Sequence, residues 1–470
     1  MRRALLSLTA ALVATGVLVA VVVATQHRAV ALPLYGARSG RTCDNCHTDP
    51  TRWKNPSLAW RKCNLSCMGC HVNPTGGGLR TAPGRFYAQA TLPMLFASHR
   101  GYKDWDKRHL IGAFASLEKN RHTRMPPSGF GSPIGGSPTM AFDQGRYGGL
   151  NADPFVLVGL DFRLAFWSAG FLVFPMQLDT HLALHPVRYV TAFVTAGVLA
   201  KSKGFASTFE RRTPYFVKDT FVMVHQLPYM AYARVGRFLP PFGTMLDDHT
   251  SPIRREFELD QGILQSRVTG VELGIAPNYP YAHVAVFRPG PRDQYAFDDP
   301  DGDATPAFLG QPGVGFAASA GWRDLGWQIG ASVMLRRREL EDGGDTNSLS
   351  VQWAFNPWFF SDSVPLTLMG EFAFGTRQRP LSGQTTRQIA FYSELFYSPF
   401  NGINLRLKYD ASDYDTEIKD DHYHRLSLGL DLYVLPKMSI HTQLRMRFSG
   451  QSSVEQGLAT DVFWMLRAWY

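Results

Sequence analysis

The chain has 470 residues, of which 19% are charged and 45% hydrophobic, a balance that excludes both a disordered chain and a bundle of many apolar spanning helices. The net charge is +9, from 48 Lys plus Arg against 39 Asp plus Glu, but it is unevenly spread. Residues 1–31 contribute +3, residues 32–110 carry 12 basic and 4 acidic side chains, and residues 111–470 carry 33 and 35, so the basic balance marks no nucleic-acid surface.

Arg2 and Arg3 precede an apolar run from Leu5 to Ala24, and Ala29-Val30-Ala31 stands just before Leu32. That is the order of an export signal with a small-residue cleavage site, and residues 1–31 are expected to be one. The run is also just long enough to span a bilayer, which makes a retained anchor the alternative. No second stretch is long and apolar enough to be a spanning helix.

All five cysteines lie between residues 43 and 70. Cys43-Asp44-Asn45-Cys46-His47 and Cys67-Met68-Gly69-Cys70-His71 are two C-x-x-C-H motifs, the attachment sequence of c-type haem. Two thiols at this spacing reach two vinyl groups on one porphyrin edge, and the adjacent His lies beneath the iron as proximal ligand. Two haems c are therefore expected, with Cys43, Cys46, Cys67 and Cys70 as attachment points and His47 and His71 on the irons. A zinc or iron–sulfur site using the same thiols and Cys63 is the alternative, but neither requires a His after each pair. His99 and His109 are the candidate distal ligands.

After the second motif, Gly76-Gly77-Gly78 permits a tight reversal near the macrocycle, and Arg80 or Arg85 can meet a propionate. Residues 32–110 are assigned to the dihaem cytochrome segment and 111–152 to a linker or plug.

From about residue 153 the hydropathy alternates with period two. Ile403, Leu405, Leu407 and Tyr409 share one face, and Asn404, Arg406, Lys408 and Asp410 the other. The runs from Arg425 and from Met438 repeat this pattern. Soluble sandwiches also alternate, but these runs are long enough to cross a bilayer at a tilt. Turns at 324–326, 398–401 and 435–437 are short, whereas the connections 239–265, 289–312, 376–386 and 412–421 are long and polar, as in a transmembrane barrel whose long loops face outside.

Strand starts fall near 153, 170, 188, 214, 229, 266, 279, 313, 327, 347, 364, 386, 402, 421, 437 and 458. The expected fold is all-β: a transmembrane antiparallel barrel of about 16 strands over residues 153–470, preceded by the short dihaem segment. Arg234, Arg336, Arg338, Arg406, Arg425, Arg445 and Arg447 share the polar face, where they can pair with propionates or a plug, or form a wet charged wall. Carboxylates in the long loops can attract cations such as Fe²⁺, or simply keep those loops solvated.

The two haem motifs, the barrel pattern and the alternating ending Val462, Trp464, Leu466, Ala468, Tyr470 together resemble the outer-membrane cytochrome–porin fusion proteins, which include iron-oxidising conduits. Arg234 to Gly243, followed by Asp247-Asp248-His249-Thr250, is similar to a strand and loop of porin-like proteins. The fused iron oxidases carry one haem motif, and this chain carries two. The resemblance implies an outer-membrane protein with its haem segment in or beneath the barrel. It would pass electrons between periplasmic cytochromes and an extracellular donor or acceptor such as iron or a mineral, with Fe(II) oxidase activity as one form of this. A solute porin with a periplasmic dihaem redox or docking domain is the alternative.

Overall fold

The computed structural model describes residues 67–69 and 71–81 and, between 155 and 469, the strands with parts of their connections. Sixteen strands follow one another: β1 (Val156–Trp167), β2 (Leu172–Val187), β3 (Val190–Val198), β4 (Tyr215–Leu227), β5 (Ala231–Phe238), β6 (Val268–Ile275), β7 (Pro280–Arg288) and β8 (Val314–Arg323). They continue as β9 (Trp327–Arg337), β10 (Thr346–Phe355), β11 (Leu366–Gln378), β12 (Thr385–Phe400), β13 (Ile403–Asp413), β14 (His422–Leu435), β15 (Met438–Ser449) and β16 (Gly457–Trp469). Each begins within three residues of its sequence-based position. Every strand pairs antiparallel with its chain neighbours, and β16 closes on β1 from Asp161↔Trp469 to Trp167↔Phe463, so the barrel has no free edge.

Alternation sets the two faces. On β13, Leu405 and Leu407 are exposed, whereas Asn404, Lys408 and Asp410 are buried toward the axis. The same split puts Val158 and Leu160 of β1, Val271 and Leu273 of β6 and Leu428 of β14 outside, with Asp161, Arg163, Glu272 and Arg425 within. A wall apolar outside and charged inside is inverted relative to a soluble protein, and hydrocarbon is the solvent that such an outer surface fits.

The connections also divide by end. Those at 188–189, 228–230, 324–326, 401–402 and 436–437 are short and share the end that holds the start of β1 and the finish of β16. Those at 199–214, 239–267 and 289–313 lie at the opposite end. Exposed Tyr189, Tyr229, Trp322, Trp327 and Tyr397 gather at the short-turn end, where amphipathic rings suit the lipid–water boundary. No helix among the described residues is long and apolar enough to cross a membrane, and the strands do the crossing.

One expectation is corrected. The connection 239–265 was expected outside, but its described part turns back into the barrel. Phe242, Leu246, Ile253 and Phe257 are buried with inward residues of the wall, and a short helix α1 (Pro252–Glu256) packs on β12 and β13. The physical reason is charge pairing with the wall, set out below.

Candidate haem-bearing lumen

Two pieces of chain enter the lumen. The first is the described stretch of the second haem motif. A 3-10 turn covers Cys67–Gly69, and the His71 amide donates to the Cys67 carbonyl at 2.8 Å, closing one turn across the motif. Groups four residues apart then stand on one side of that turn. The chain next doubles back: Val72 N donates to Leu79 O at 3.0 Å, and His71 bridges Arg80 in antiparallel fashion. Gly76, Gly77 and Gly78 have φ of +90°, +79° and +59°, a run that side chains with a Cβ rarely adopt.

This reversal returns the Gly77 carbonyl to the His71 ring, with Nδ1 at 3.1 Å from the oxygen. A carbonyl only accepts, so Nδ1 carries the proton and Nε2 keeps its lone pair, the arrangement that orients a ligating imidazole. The residues present therefore fit a c-type haem: a thiol and a histidine on one turn, with the Gly77 carbonyl fixing the tautomer.

The stretch is held to the wall in several ways. Met68, Val72 and Leu79 are buried in one apolar cluster with barrel residues. Arg234 of β5 donates from Nη1 to Asn73 Oδ1 at 3.0 Å, and Asn73 Oδ1 also accepts from Thr75 N and Oγ1 at 3.3 and 3.0 Å. The Arg323 guanidinium of β8 approaches Cys67 Sγ at 3.7 Å and lies over the Tyr281 ring, 4.3 Å from its centroid. Arg80 lies over Trp469 of β16 at 5.3 Å.

Behind Arg234 runs a buried polar chain. Its Nη2 donates to Glu272 Oε2 at 2.7 Å, Tyr232 OH donates to Glu272 Oε1 at 2.5 Å, and Tyr232 OH stands 2.7 Å from His283 Nδ1. With its proton on Glu272, the Tyr232 oxygen accepts from His283. This chain fixes Arg234, which reaches Asn73 while stacked 4.3 Å over the Phe238 ring.

The second piece is the loop 239–257, entering from the opposite end and tied by two ionic anchors. Asp248 Oδ2 lies 2.8 Å from Lys408 Nζ and 3.7 Å from Arg425 Nη2, while Arg425 also bonds Asp410 at 2.7 Å and donates to Thr250 O at 2.9 Å. Burial opposes charge on Asp248, but Lys408, Arg425 and Arg445 outweigh it and hold the carboxyl well below the usual carboxylate range. The other anchor is Arg254 with Glu371 of β11 at 3.0 Å, both side chains 0% exposed. Glu371 also accepts from Thr244 N at 2.9 Å and Ser350 Oγ at 2.6 Å.

Between the two pieces lies a cavity of about 390 Å³. Residues of both inserts line it, Cys67 and His71 from one and Phe242, Met245 and Asp248 from the other, with guanidiniums such as Arg323, Arg406 and Arg445 on its wall. Guanidiniums there suit the carboxylates of a porphyrin. Arg406 bonds Glu394 and Asp431 of the wall at 3.2 and 3.3 Å, so much of the inward charge is balanced within the barrel.

Of the sequence-derived site residues, Cys67 and His71 lie at this cavity. Cys43, Cys46, His47, Cys70, His99 and His109 lie outside the described residues, as do Cys63 and Arg85. Among the described residues no group of three or more metal-type side chains comes together. Sequence reasoning missed the wall residues His181, Tyr232, Tyr281, His283 and Arg323. Their only signal was an inward position on an alternating strand.

No family model matches the chain, and no curated protein matches it. Solved structures do. The anion-selective porin from Comamonas acidovorans is 12% identical, with a TM-score of 0.46 over 67% of this chain and 99% of that one. The outer membrane channel DcaP of Acinetobacter baumannii is 11% identical, with a TM-score of 0.43 over 67% of this chain and 97% of that one. OprB of Pseudomonas putida is 8% identical, with a TM-score of 0.44 over 72% and 98%. At such identities the likeness is one of fold alone. The strand register and the inverted wall make the chain a porin-like outer-membrane barrel.

Proposed function

We propose that this barrel carries electrons across the outer membrane on c-type haem attached at Cys43, Cys46 and His47 and at Cys67, Cys70 and His71. The observation that carries the reading is the His71 imidazole at the lumen cavity with Nδ1 committed to the Gly77 carbonyl. A surface linker has no need of that geometry. The bilayer core is about 30 Å thick and offers exposed polar backbone nothing to bond, so a redox segment crossing it needs a sleeve.

The bound group would supply reversible one-electron chemistry at iron. The chain's own residues do the rest: the turn from Cys67 to His71 orients the ligand, and Arg234 holds Asn73 and with it the reversal. Met68, Val72 and Leu79 keep the attachment site in apolar surroundings. Expected partners are outer-membrane lipid, periplasmic cytochromes on one side, and an iron or mineral donor or acceptor on the other. Direction of flow depends on the reduction potentials.

The test is a pyridine haemochrome assay on protein made with cytochrome maturation, followed by electron transfer from an outside reductant to an acceptor enclosed in liposomes. Two covalent haems per chain and transfer abolished by His47→Ala with His71→Ala are expected. Colourless protein, or equal transfer by the double variant, overturns the reading.

The second reading, a solute porin, has the broader support, since the closed barrel, its lumen cavity and its mixed-charge wall need no cofactor to make a channel. Planar-bilayer recordings separate the two. Steady ionic conductance by the intact chain supports the porin, and a closed pore that opens on deleting residues 32–110 supports the conduit.

A further inference from the structure

We propose that His181, on the barrel wall, is the distal ligand of the haem iron held by His71; the proposal rests on the haem reading above. His181 faces inward from β2 and is 6% exposed. Its Nδ1 lies 2.9 Å from Thr195 Oγ1 of β3, and its ring stacks on Phe193 with centroids 6.2 Å apart and planes 12° apart. These two contacts fix where the other ring nitrogen points. That nitrogen, Nε2, is buried and has no hydrogen-bond partner among the described residues.

A buried imidazole nitrogen without a partner costs free energy unless something absent from the protein satisfies it. With the Nδ1 proton donated to Thr195, Nε2 has a lone pair to give, the state in which histidine binds metal. The ring's Cε1, the carbon between the two nitrogens, is 3.8 Å from where a Cβ on Gly78 would stand, so the ring abuts the reversal that orients His71. His181, His71 and Cys67 line the same cavity.

Of the other wall histidines of that cavity, His441 has both nitrogens engaged, with Asp431 at 2.8 Å and Ser439 at 2.8 Å. His283 is held through Nδ1 by Tyr232 as His181 is by Thr195, but of the three only His181 has a buried nitrogen without a hydrogen-bond partner among the described residues. A wall ligand also explains what attachment alone does not: it ties the haem segment to the barrel through iron, so that redox centre and sleeve form one rigid unit.

The experiment uses the full chain in detergent, with haem content measured first and ferric absorption, electron paramagnetic resonance and a redox titration read next. In the unsubstituted protein the haem at His71 is expected to be low spin. In His181→Ala one of the two haems should become high spin, and added imidazole should restore the low-spin spectrum. His181→Met should give a low-spin His/Met haem of raised potential, which keeps the test open if the alanine variant fails to assemble. His441→Ala, a change on the same wall, should leave the spectra as they are. Full haem content with spectra and potential unchanged in His181→Ala overturns this proposal and spares the haem reading. Absence of covalent haem overturns both.

Discussion

The two inserts fill the lumen by opposite physics. The loop 239–257 is held by the wall: Asp248 and Arg254 reach residues more than a hundred positions away, and Arg254 with Glu371 forms a pair with both side chains fully buried. The stretch 67–81 has backbone structure of its own, a closed turn, a glycine reversal and a short antiparallel bridge, beside its ties to the wall: the buried Met68, Val72 and Leu79 and side-chain hydrogen bonds from Arg234 to Asn73 and from Arg323 to Cys67. Remove the wall and the loop has no reason to keep its shape. The turn at 67–71 has backbone bonds of its own that do not depend on the wall.

The sharpest way to break this contrast is to cut a loop anchor. Arg254→Ala leaves Glu371 buried with only Thr244 N–H and the Ser350 hydroxyl, and should cost about 3–5 kcal/mol in denaturant unfolding. Replacing both partners, Arg254→Met with Glu371→Leu, should recover most of that loss, because no charge is then left buried. Single-channel conductance of Arg254→Ala should rise as the freed loop leaves the lumen. An unchanged conductance would mean that the apolar contacts of Phe242 and Phe257 hold the loop alone.

A subtler lesion acts on the same anchor. Gly243 has φ of +61°, and a Cβ there would collide with Glu371 Oε1. Gly243→Ala should therefore destabilise by about 1–3 kcal/mol, through the strained backbone and the displaced carboxylate. Combined with Glu371→Ala the cost should be less than the sum, since both changes break one contact.

On the other insert, Asn73→Ala removes the acceptor that Arg234 and Thr75 share. A hydrogen bond to a charged group is worth about 1.5–3 kcal/mol, and Arg234 keeps Glu272, so the low end is expected. The loss should appear as faster limited proteolysis at residues 74–78 with barrel unfolding unchanged. If the barrel weakens too, the segment is part of the wall's stability and the contrast fails.

This contrast also explains what was legible in the sequence. Alternation is local, so the sixteen strands, their inward arginines and the sorting of short and long turns could be read from it. A C-x-x-C-H motif is local too, and Cys67 and His71 stood out at once. The inward path of 239–257 could not be read, because Asp248 meets Lys408 only across eight further strands of the barrel. His181 was invisible for a related reason: an inward histidine on a strand looks like any polar wall residue. Only a cross-strand Thr195 and an unpartnered Nε2 set it apart.

The smallest effect expected is a difference in how two loops respond to acid. Asp248 is held well below the usual carboxylate range by Lys408, Arg425 and Arg445, against burial. A carboxyl whose folded pKa is depressed contributes stability above its unfolded pKa and loses it only as pH falls through the folded one. Loop 239–257 should therefore stay pinned from neutral pH to below about pH 4. Asp421, in the connection 414–421, has the opposite sign: burial, and then the Asp413 carboxylate, raise its pKa to about 6. The fold here binds a proton that the unfolded chain does not, so local stability is greatest in acid and falls as pH rises from about 4 to about 6. Amide exchange, corrected for its intrinsic pH dependence, should show 414–421 opening more readily across that window while 239–257 does not change. Asp421→Asn should remove the response at 414–421, since an amide cannot lose that proton. If both loops loosen together toward neutral pH, the Asp248 anchor is not the charge pair described above, and the two regions differ less than their contacts imply.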